Sequence, residues 1–439
     1  MEFPDTIFAL SSGRLPSGVA VVRLSGPHTL ATLLRMASGP MPPRTLVKRS
    51  IRDGQGALLD RGMAVSIPGP ASVTGEDCGE LHLHGGKAVV AAVLDALSAM
   101  PGLRAADPGE FTRRAFLNGK LDLVEAEALA DLISAETEVQ RRFALGNAHG
   151  RHAALYAEWR QAIIQARALV EAELDFSDQD DVPDAVGERA WDALIEVVHE
   201  IDRHLSAFHQ AEMIREGFKV VILGAPNAGK SSLLNALAGR DAAIVTEEAG
   251  TTRDLIEVAL DLSGAKVRVV DTAGIRPQAG KVEEIGITRA LDAAAGADLL
   301  LELVDMSDPR RLVLPNFEAG RLVVGTKSDL VPGGVGVAYD LTVSTRDGSG
   351  LQSLLDLLSG RAAAATSVIA DAVPFRARHL DGLHSCRRAL LTAIEGKGAT
   401  LELRAEELRV ASQSLGRLAG QAGVEEVLDF VFAGFCVGK

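Results

Sequence analysis

The sequence predicts a multidomain chain of mixed α/β and α class: a small N-terminal α+β domain, then a helical domain with an α/β domain inserted in it. Three observations predict this. Short β-like runs and turns fill residues 5–100. Ala- and Leu-rich helical periodicity dominates from about residue 121 to 214 and returns after about 370. Between these helical parts, residues 217 to about 365 alternate apolar runs with Gly-rich turns. At 439 residues the chain is too long for one compact core.

Composition narrows the function classes. A hydrophobic content of 47% is that of a folded protein, and 4% aromatics leave the cores to Leu, Val, Ile and Ala. A net charge of −14 excludes nucleic-acid binding by bulk charge, so any RNA contact needs a local basic patch or a partner. Three scattered cysteines, Cys78, Cys386 and Cys436, argue for a reducing compartment rather than a disulfide framework. No apolar run approaches the roughly 20 residues of a membrane span. The N-terminus lacks a basic-then-apolar signal. The expectation is a cytoplasmic protein.

The domains are expected at 1–118, 119–214, 215–367 and 368–439, the second and fourth being two parts of one helical domain. In the first, strands are predicted at Val19–Leu24, Met63–Ile67 and Glu80–His84, with a helix over Ala88–Met100. Helical periodicity runs over 121–133 and then from Thr137 to Asp175. An acidic, proline-containing break at 177–184 follows, and helix resumes over 188–214. In the third domain, strands are predicted at 218–223, 255–262, 266–270, 298–305 and 321–325, with a hairpin turning at Ser263-Gly264. Near the end, Leu408, Ala411, Leu415 and Leu418 form a one-sided helical stripe.

The chemistry centres on Gly224-Ala225-Pro226-Asn227-Ala228-Gly229-Lys230-Ser231, between a strand-like run and a helix-like one. Gly-x-x-x-x-Gly-Lys-Ser in that context is a P-loop. Its glycines allow close backbone approach to an anion. The N–H groups at Asn227, Ala228, Gly229 and Ser232 and the helix N-terminus face phosphate. Lys230 neutralises the outer phosphates, and Ser231 can ligate Mg2+. Asp271-Thr272-Ala273-Gly274 ends a later strand. There Asp271 can bind Mg2+ through water and the Gly274 N–H can sense a γ-phosphate. In Thr326-Lys327-Ser328-Asp329, the Asp329 carboxylate can accept the guanine N1–H and 2-amino group, a donor pair that adenine lacks, while Lys327 packs along the base. Ser344-Thr345-Arg346 can meet the base oxygen through backbone N–H. In Glu248 to Asp254, a Thr can complete the Mg2+ shell while the γ-phosphate is present, which makes a switch. Each motif alone is an ordinary turn or cap. Together, in order and at strand ends, they predict a Ras-like P-loop GTPase domain. The position that carries a water-orienting Gln in many small GTPases is Ile275 here. The residues alone leave Arg276, Gln278, Glu283 and Glu284 as candidates, with Arg253 a surface residue or an arginine finger.

Further runs are distinctive: Gly18 to Gly26, Thr74-Gly75-Glu76-Asp77 with Glu80 to Gly86, Pro108 to Lys120, Ala249 to Asp254, and Phe435-Cys436-Val437-Gly438-Lys439. Over its whole length the chain resembles the MnmE (TrmE) family of tRNA-modification GTPases. The resemblance implies a homodimer whose N-terminal domain binds 5-formyltetrahydrofolate, and G domains that meet when GTP and K+ are bound. It implies K+ ligands at Asn227, Thr246, Glu248 and Thr251, Mg2+ ligands at Ser231 and Thr252, and Glu283 as the residue that orients water. It places folate at Arg23, Glu80, Lys120 and Lys439. It implies an FAD-dependent MnmG-type partner in a heterotetramer, and an aminomethyl-type group installed on carbon 5 of the wobble uridine of tRNA.

Some residues stay open. Cys436 reads equally as a reactive thiol or a small packing residue. Cys78, His82 and His84 read as structural, since a fourth metal ligand is not evident. Arg141, Arg142 and Arg151 are candidates for an RNA patch, though a solvated face explains them as well. Two positions depart from the family pattern: Thr326 replaces an Asn that ties the base loop to the P-loop, and Thr345 replaces an Ala. The expectation is weaker guanine binding. The competing function is a switch-like assembly GTPase, which has no use for the N-terminal motifs or the Cys-Val-Gly-Lys tail. A folate-binding module with a vestigial GTPase fits poorly with an intact Lys230, Ser231 and Asp271.

Overall fold

A computed structural model describes residues 3–148, 150–175, 184–244, 256–271, 291–312, 315–317, 319–331, 338–367, 375–396 and 400–420, and 428, 431, 432, 435 and 438 of the tail. The chain groups into two compact units. One holds residues 1–130, 150–164 and 409–439; the other holds 131–149 and 165–408. Among the described residues no helix is long and apolar enough to cross a membrane.

The first unit is built on a six-stranded sheet. Its strands are β1 (Thr6–Leu10), β2 (Ser17–Ser25), β3 (Val47–Arg52), β4 (Leu58–Ile67), β5 (Cys78–Gly85) and β6 (Leu103–Ala105), in the order β3-β4-β5-β2-β1-β6. Alternation sorts the side chains. Phe8, Val22, Leu24, Leu81 and Leu83 face one way and are covered by the helices Thr29–Met36 and Lys87–Ser98 through Leu33, Met36, Val93 and Leu97. Arg23, Glu80 and His82 therefore face the other way. There Ile7, Ala9 and Ala106 form a small cluster with Phe111, from the helix Glu110–Leu117. The sequence reading missed β1, β3 and β6. The first is a short buried run without polar alternation, the second is largely cationic, and the third has three residues.

The second unit carries a seven-stranded sheet. Its strands are β7 (Phe218–Gly224), β8 (Ala243–Ile244), β9 (Ile256–Leu262), β10 (Ala265–Asp271), β11 (Leu299–Asp305), β12 (Gly320–Thr326) and β13 (Leu341–Val343), ordered β13-β12-β11-β7-β10-β9-β8. The five from β13 to β10 are parallel, and β9 turns back against β10. Central β7 is apolar throughout because both its faces are buried: Val220 and Ile222 join one core, Val221 and Leu223 another. The hairpin turns at Ser263-Gly264 as expected. Both have positive φ, 57° and 87°, which is the mirror-type turn that matches strand twist. That turn is held from outside the sheet. Val139 N–H donates to Gly264 O at 3.0 Å, and Lys266 pairs with Glu136.

The periodicity over 137–175 is not one helix. It divides into Glu138–Asn147 and Arg151–Asp175, with Gly150 at φ 67° between them. A capping box starts the first piece: Thr137 Oγ1 accepts from Gln140 N–H and the Gln140 side chain reaches back. Helical pattern survives such a break because both pieces bury the same kinds of residue. The stripe near the end is as expected, with Leu408, Ala411, Leu415 and Leu418 all buried in the helix Leu401–Leu418. The predicted acidic break lies almost wholly outside the described residues.

Candidate functional site

The nucleotide motifs stand at the C-terminal ends of adjacent parallel strands, the edge of an open α/β sheet where ligands bind. β7 runs into the P-loop, β10 ends at Asp271, β11 at Asp305, and β12 at Thr326. Asn227 and Gly229 both take positive φ, 65° and 91°, so the loop curls round its own N–H groups before the helix Lys230–Ala238 begins. A side chain at Gly224 would meet the Leu303 carbonyl at 2.6 Å, which explains the glycine there. Lys230 Nζ donates to the carbonyls of Gly224 and Ala225, at 2.8 and 3.0 Å, and so lies across the loop. Burial lowers its pKa, with the charge of Asp271 opposing. Ser231 Oγ donates to Asp271 Oδ2 at 2.8 Å, and Asp271 is buried. A hydroxyl and a carboxylate at that separation suit a hard, oxygen-liganded cation such as Mg2+.

The base-reading residues converge as well. Asp329 accepts a hydrogen bond from Ser344 Oγ at 2.8 Å, so the two motifs are joined side chain to side chain. Ser344 Oγ also accepts from the N–H of Arg346 at 3.2 Å. Lys327, left-handed at φ 57°, anchors on Asp305, whose carboxyl lies below its usual range: burial would raise it, and the Lys327 and Ser307 hydrogen bonds outweigh that. Thr326 lies where the base loop meets the P-loop. Its buried hydroxyl donates to Ala228 O of the P-loop at 2.8 Å. The tie expected to be lost with Asn is made by a shorter side chain.

On the N-terminal sheet, Arg23 and Glu80 lie directly opposite each other on β2 and β5. Arg23 Nε and Nη2 donate to Glu80 Oε1 at 3.1 and 3.0 Å, and Glu80 Oε2 meets His82 Nε2 at 2.9 Å. The Arg23 guanidinium stands 6.0 Å from the Phe111 ring centre. Lys120 Nζ donates to Pro70 O at 3.0 Å. The tail returns to the same sheet: Ser11 Oγ donates to Gly438 O at 2.7 Å, beyond the end of β1. Gly438 has φ 94°, and a side chain there would strike the Leu10 carbonyl at 2.2 Å. Behind it Phe432 and Phe435 sit in a core with Leu123, Ala126 and Leu428.

Residues 6–120 match the family model described as the GTP-binding protein TrmE N-terminus, and residues 123–436 match the MnmE helical domain. Over 439 residues the chain is 54% identical to the tRNA modification GTPase MnmE of Mesorhizobium japonicum, covering 99% of each chain. The chain belongs to the MnmE family of tRNA modification GTPases. MnmE of Brucella melitensis is 53% identical over 438 residues, covering 100% of this chain and 99% of its own. Among solved structures, the G domain of the T. maritima FeoB iron transporter is 24% identical over 33% of this chain and 98% of its own; at a TM-score of 0.26 it does not bear on the assignment. As an MnmE-family member the chain is a P-loop GTPase, a GTP hydrolase.

For this MnmE-family chain, Thr246, Glu248, Thr251, Thr252, Gly274, Glu283, Cys436 and Lys439 lie outside the described residues. Cys78, His82 and His84 are each engaged separately: Cys78 Sγ lies 3.1 Å from Thr74 Oγ1, His82 bonds Glu80, and His84 Nδ1 lies 2.8 Å from Asp60 Oδ1. Arg141 and Arg142 both bond Glu138, at 2.7 Å, which neutralises much of that patch. The sequence reading missed Arg114. It is 1% exposed and pairs with Asp5, Glu76 and Glu110, at 2.8, 3.2 and 3.0 Å. Ser25 Oγ donates to Glu76 at 2.6 Å, and Asn118 to Thr74 O at 2.8 Å, so this cluster holds the Thr74–Asp77 loop against β2. The signal was in the quoted run Pro108 to Lys120, where Glu110 and Arg114 stand one helical turn apart.

Proposed function

We propose that the chain is a K+-dependent GTPase that, with an FAD-dependent partner of the MnmG type, modifies carbon 5 of the wobble uridine of tRNA. The group added is of the aminomethyl type, with 5-formyltetrahydrofolate bound as the one-carbon source. The observation that carries the hydrolytic part is the convergence of Lys230, Ser231, Asp271 and Asp329 at neighbouring strand ends. Ser231 and Thr252 would hold Mg2+, which shields phosphate charge when bound. Lys230 neutralises the outer phosphates, and Asp329 selects guanine. Asn227, with Thr246, Glu248 and Thr251, would hold K+. The exposed, left-handed Asn227 at the P-loop crest supports that reading. Glu283 is the residue read as orienting the attacking water, in place of the apolar Ile275.

Arg23, Glu80, Lys120 and Lys439 are the residues read as holding folate. The chemistry of the donor set fits: a carboxylate suits pterin N–H groups, and cations suit the glutamate tail. The anchored Gly438, next to Lys439, supports bringing the tail to the N-terminal sheet. The reading includes a homodimer joined by its partner into a heterotetramer, the domain limits 1–118, 119–214, 215–367 and 368–439, and a place in the cytoplasm. The deciding experiment is mass analysis of wobble uridine in cells lacking this protein. The modified base is expected to disappear; unaltered tRNA would sink the proposal. Hydrolysis is expected to be faster in K+ than in Na+, and equal rates would remove the K+ reading.

A further inference from the structure

From Thr6 through Arg52 the sequence has no Asp or Glu, in a chain that carries 59 of them. The end of that stretch is β3, the outermost strand of the N-terminal sheet, paired only with β4. Ile51 points into the core, so Lys48 and Ser50 point to the opposite face, and Arg52 follows across a register shift in the β3–β4 pairing. Register adds Arg61: Lys48 lies opposite Met63 and Ser50 opposite Arg61. Lys48, Arg52 and Arg61 are all exposed. None of the three has an ion pair among the described residues. Arg52 donates instead to Gly56 O at 2.8 Å, which fixes its guanidinium without neutralising it. The carboxylates on this hairpin are occupied: Asp53 accepts from the N–H of Gln55 and Ala57, and Asp60 holds His84.

We propose that this cationic sheet edge grips the phosphate backbone of tRNA. The inference rests on the tRNA reading given above and names the surface it uses. Lys48 to Arg52 spans about 13 Å along the strand, longer than one phosphate group, so the row suits a polyanion. No Phe, Tyr or Trp occurs between Phe8 and Phe111, so this stretch supplies none of the large rings on which bases stack. Contacts here are therefore to the backbone, setting position rather than reading sequence. An acidic chain gains most from such a local patch, because its overall field repels RNA.

The test is binding of a tRNA transcript to the full-length protein over a salt series, for wild type and for K48A/R52A/R61A. The variant is expected to bind more weakly, on the order of 10²-fold at 0.1 M salt, with the slope of log affinity against log salt reduced by about 3. R141A/R142A, whose charges already face Glu138, should change the slope by less than about 1. GTP hydrolysis without tRNA should be unchanged in both variants, which shows that they are folded. Wild-type affinity and slope in K48A/R52A/R61A would overturn the inference and leave the row as a guard against edge-strand pairing. A wild-type protein with no tRNA affinity would instead bring down the tRNA reading and this surface with it.

Discussion

In the nucleotide domain the functional groups among the described residues sit at or just beyond strand ends, where the backbone turns out of the sheet to present them. On the N-terminal sheet Arg23, Glu80 and His82 sit within strands: cross-strand register sets Arg23 opposite Glu80, and strand alternation puts His82 on the same face as Glu80. The two regions also differ in what fixes the side chains. Ser231, Thr326 and Ser344 are each held by one hydrogen bond to another motif of the same site. Beside the Arg23–Glu80 pair lies a charge cluster around one buried arginine, Arg114. A strand-end site tolerates change in its surroundings while its backbone holds; a register-built face depends on what locks the elements beside it.

The sharpest way to break this contrast is Arg114→Leu. It removes the buried cation of Glu76 and leaves Asp5 and Glu110 with Arg104 alone; removing one partner of a buried pair costs about 3–5 kcal/mol. Thermal melting should show this loss while the nucleotide domain still binds GTP. Acid probes the same cluster. Burial raises the Glu110 pKa, but hydrogen bonds from Arg104, the Asp107 N–H and Arg114 bring the net value below 4.5; Asp5 is lowered likewise by Arg114 and Arg104 against burial. Stability from these groups is present above their unfolded pKa values and lost as pH falls through the lower folded ones. Melting temperature should therefore drop below about pH 4.5, and more steeply in wild type than in Arg114→Leu. Equal acid slopes would show that the cluster is not the lock.

Lys230→Ala should cut hydrolysis about 10² to 10³-fold, the scale of removing one preorganised charge-stabilising donor, without moving the melting temperature of the N-terminal domain. Thr326→Ala should cost about 1–3 kcal/mol, because the Ala228 carbonyl loses its buried donor. Guanine-nucleotide affinity is the readout, and Thr326→Asn should keep it. If alanine binds as well as threonine, the tie does not hold the base loop. The smallest effect on stability belongs to Arg23→Ala, below about 1 kcal/mol, since the Arg23–Glu80 pair is partly exposed. Folate affinity should fall in that variant with GTP hydrolysis unchanged. Unchanged folate binding would remove Arg23 from the site.

The same contrast explains what the sequence made legible. Gly224 to Ser231, Asp271 and Asp329 belong to short runs whose spacing carries their meaning, and they fall where expected. β9 and β10 were readable because the Ser263-Gly264 turn declares the hairpin. The tie of Thr326 was not readable, since whether a threonine reaches Ala228 depends on how close two loops come. The break at Gly150 was hidden by periodicity that continues on either side of it. β3 was hidden because cations displaced the apolar alternation that marks a strand. Those cations are visible in the sequence only as a long absence of carboxylates, which composition averaged over the whole chain conceals.

The turn that joins β9 to β10 has a mechanical consequence. β10 begins one residue after Gly264, whose carbonyl is held by the N–H of Val139, and ends seven residues later at Asp271, beside Ser231. Hydrogen-bond ladders to β7 and β9 on either side keep it straight. It is thus a push-rod about 23 Å long, with one end in the phosphate site and the other seated on the helix Glu138–Asn147. Any displacement of Asp271 along the strand would meet that helix through the Gly264 carbonyl and the Lys266–Glu136 pair.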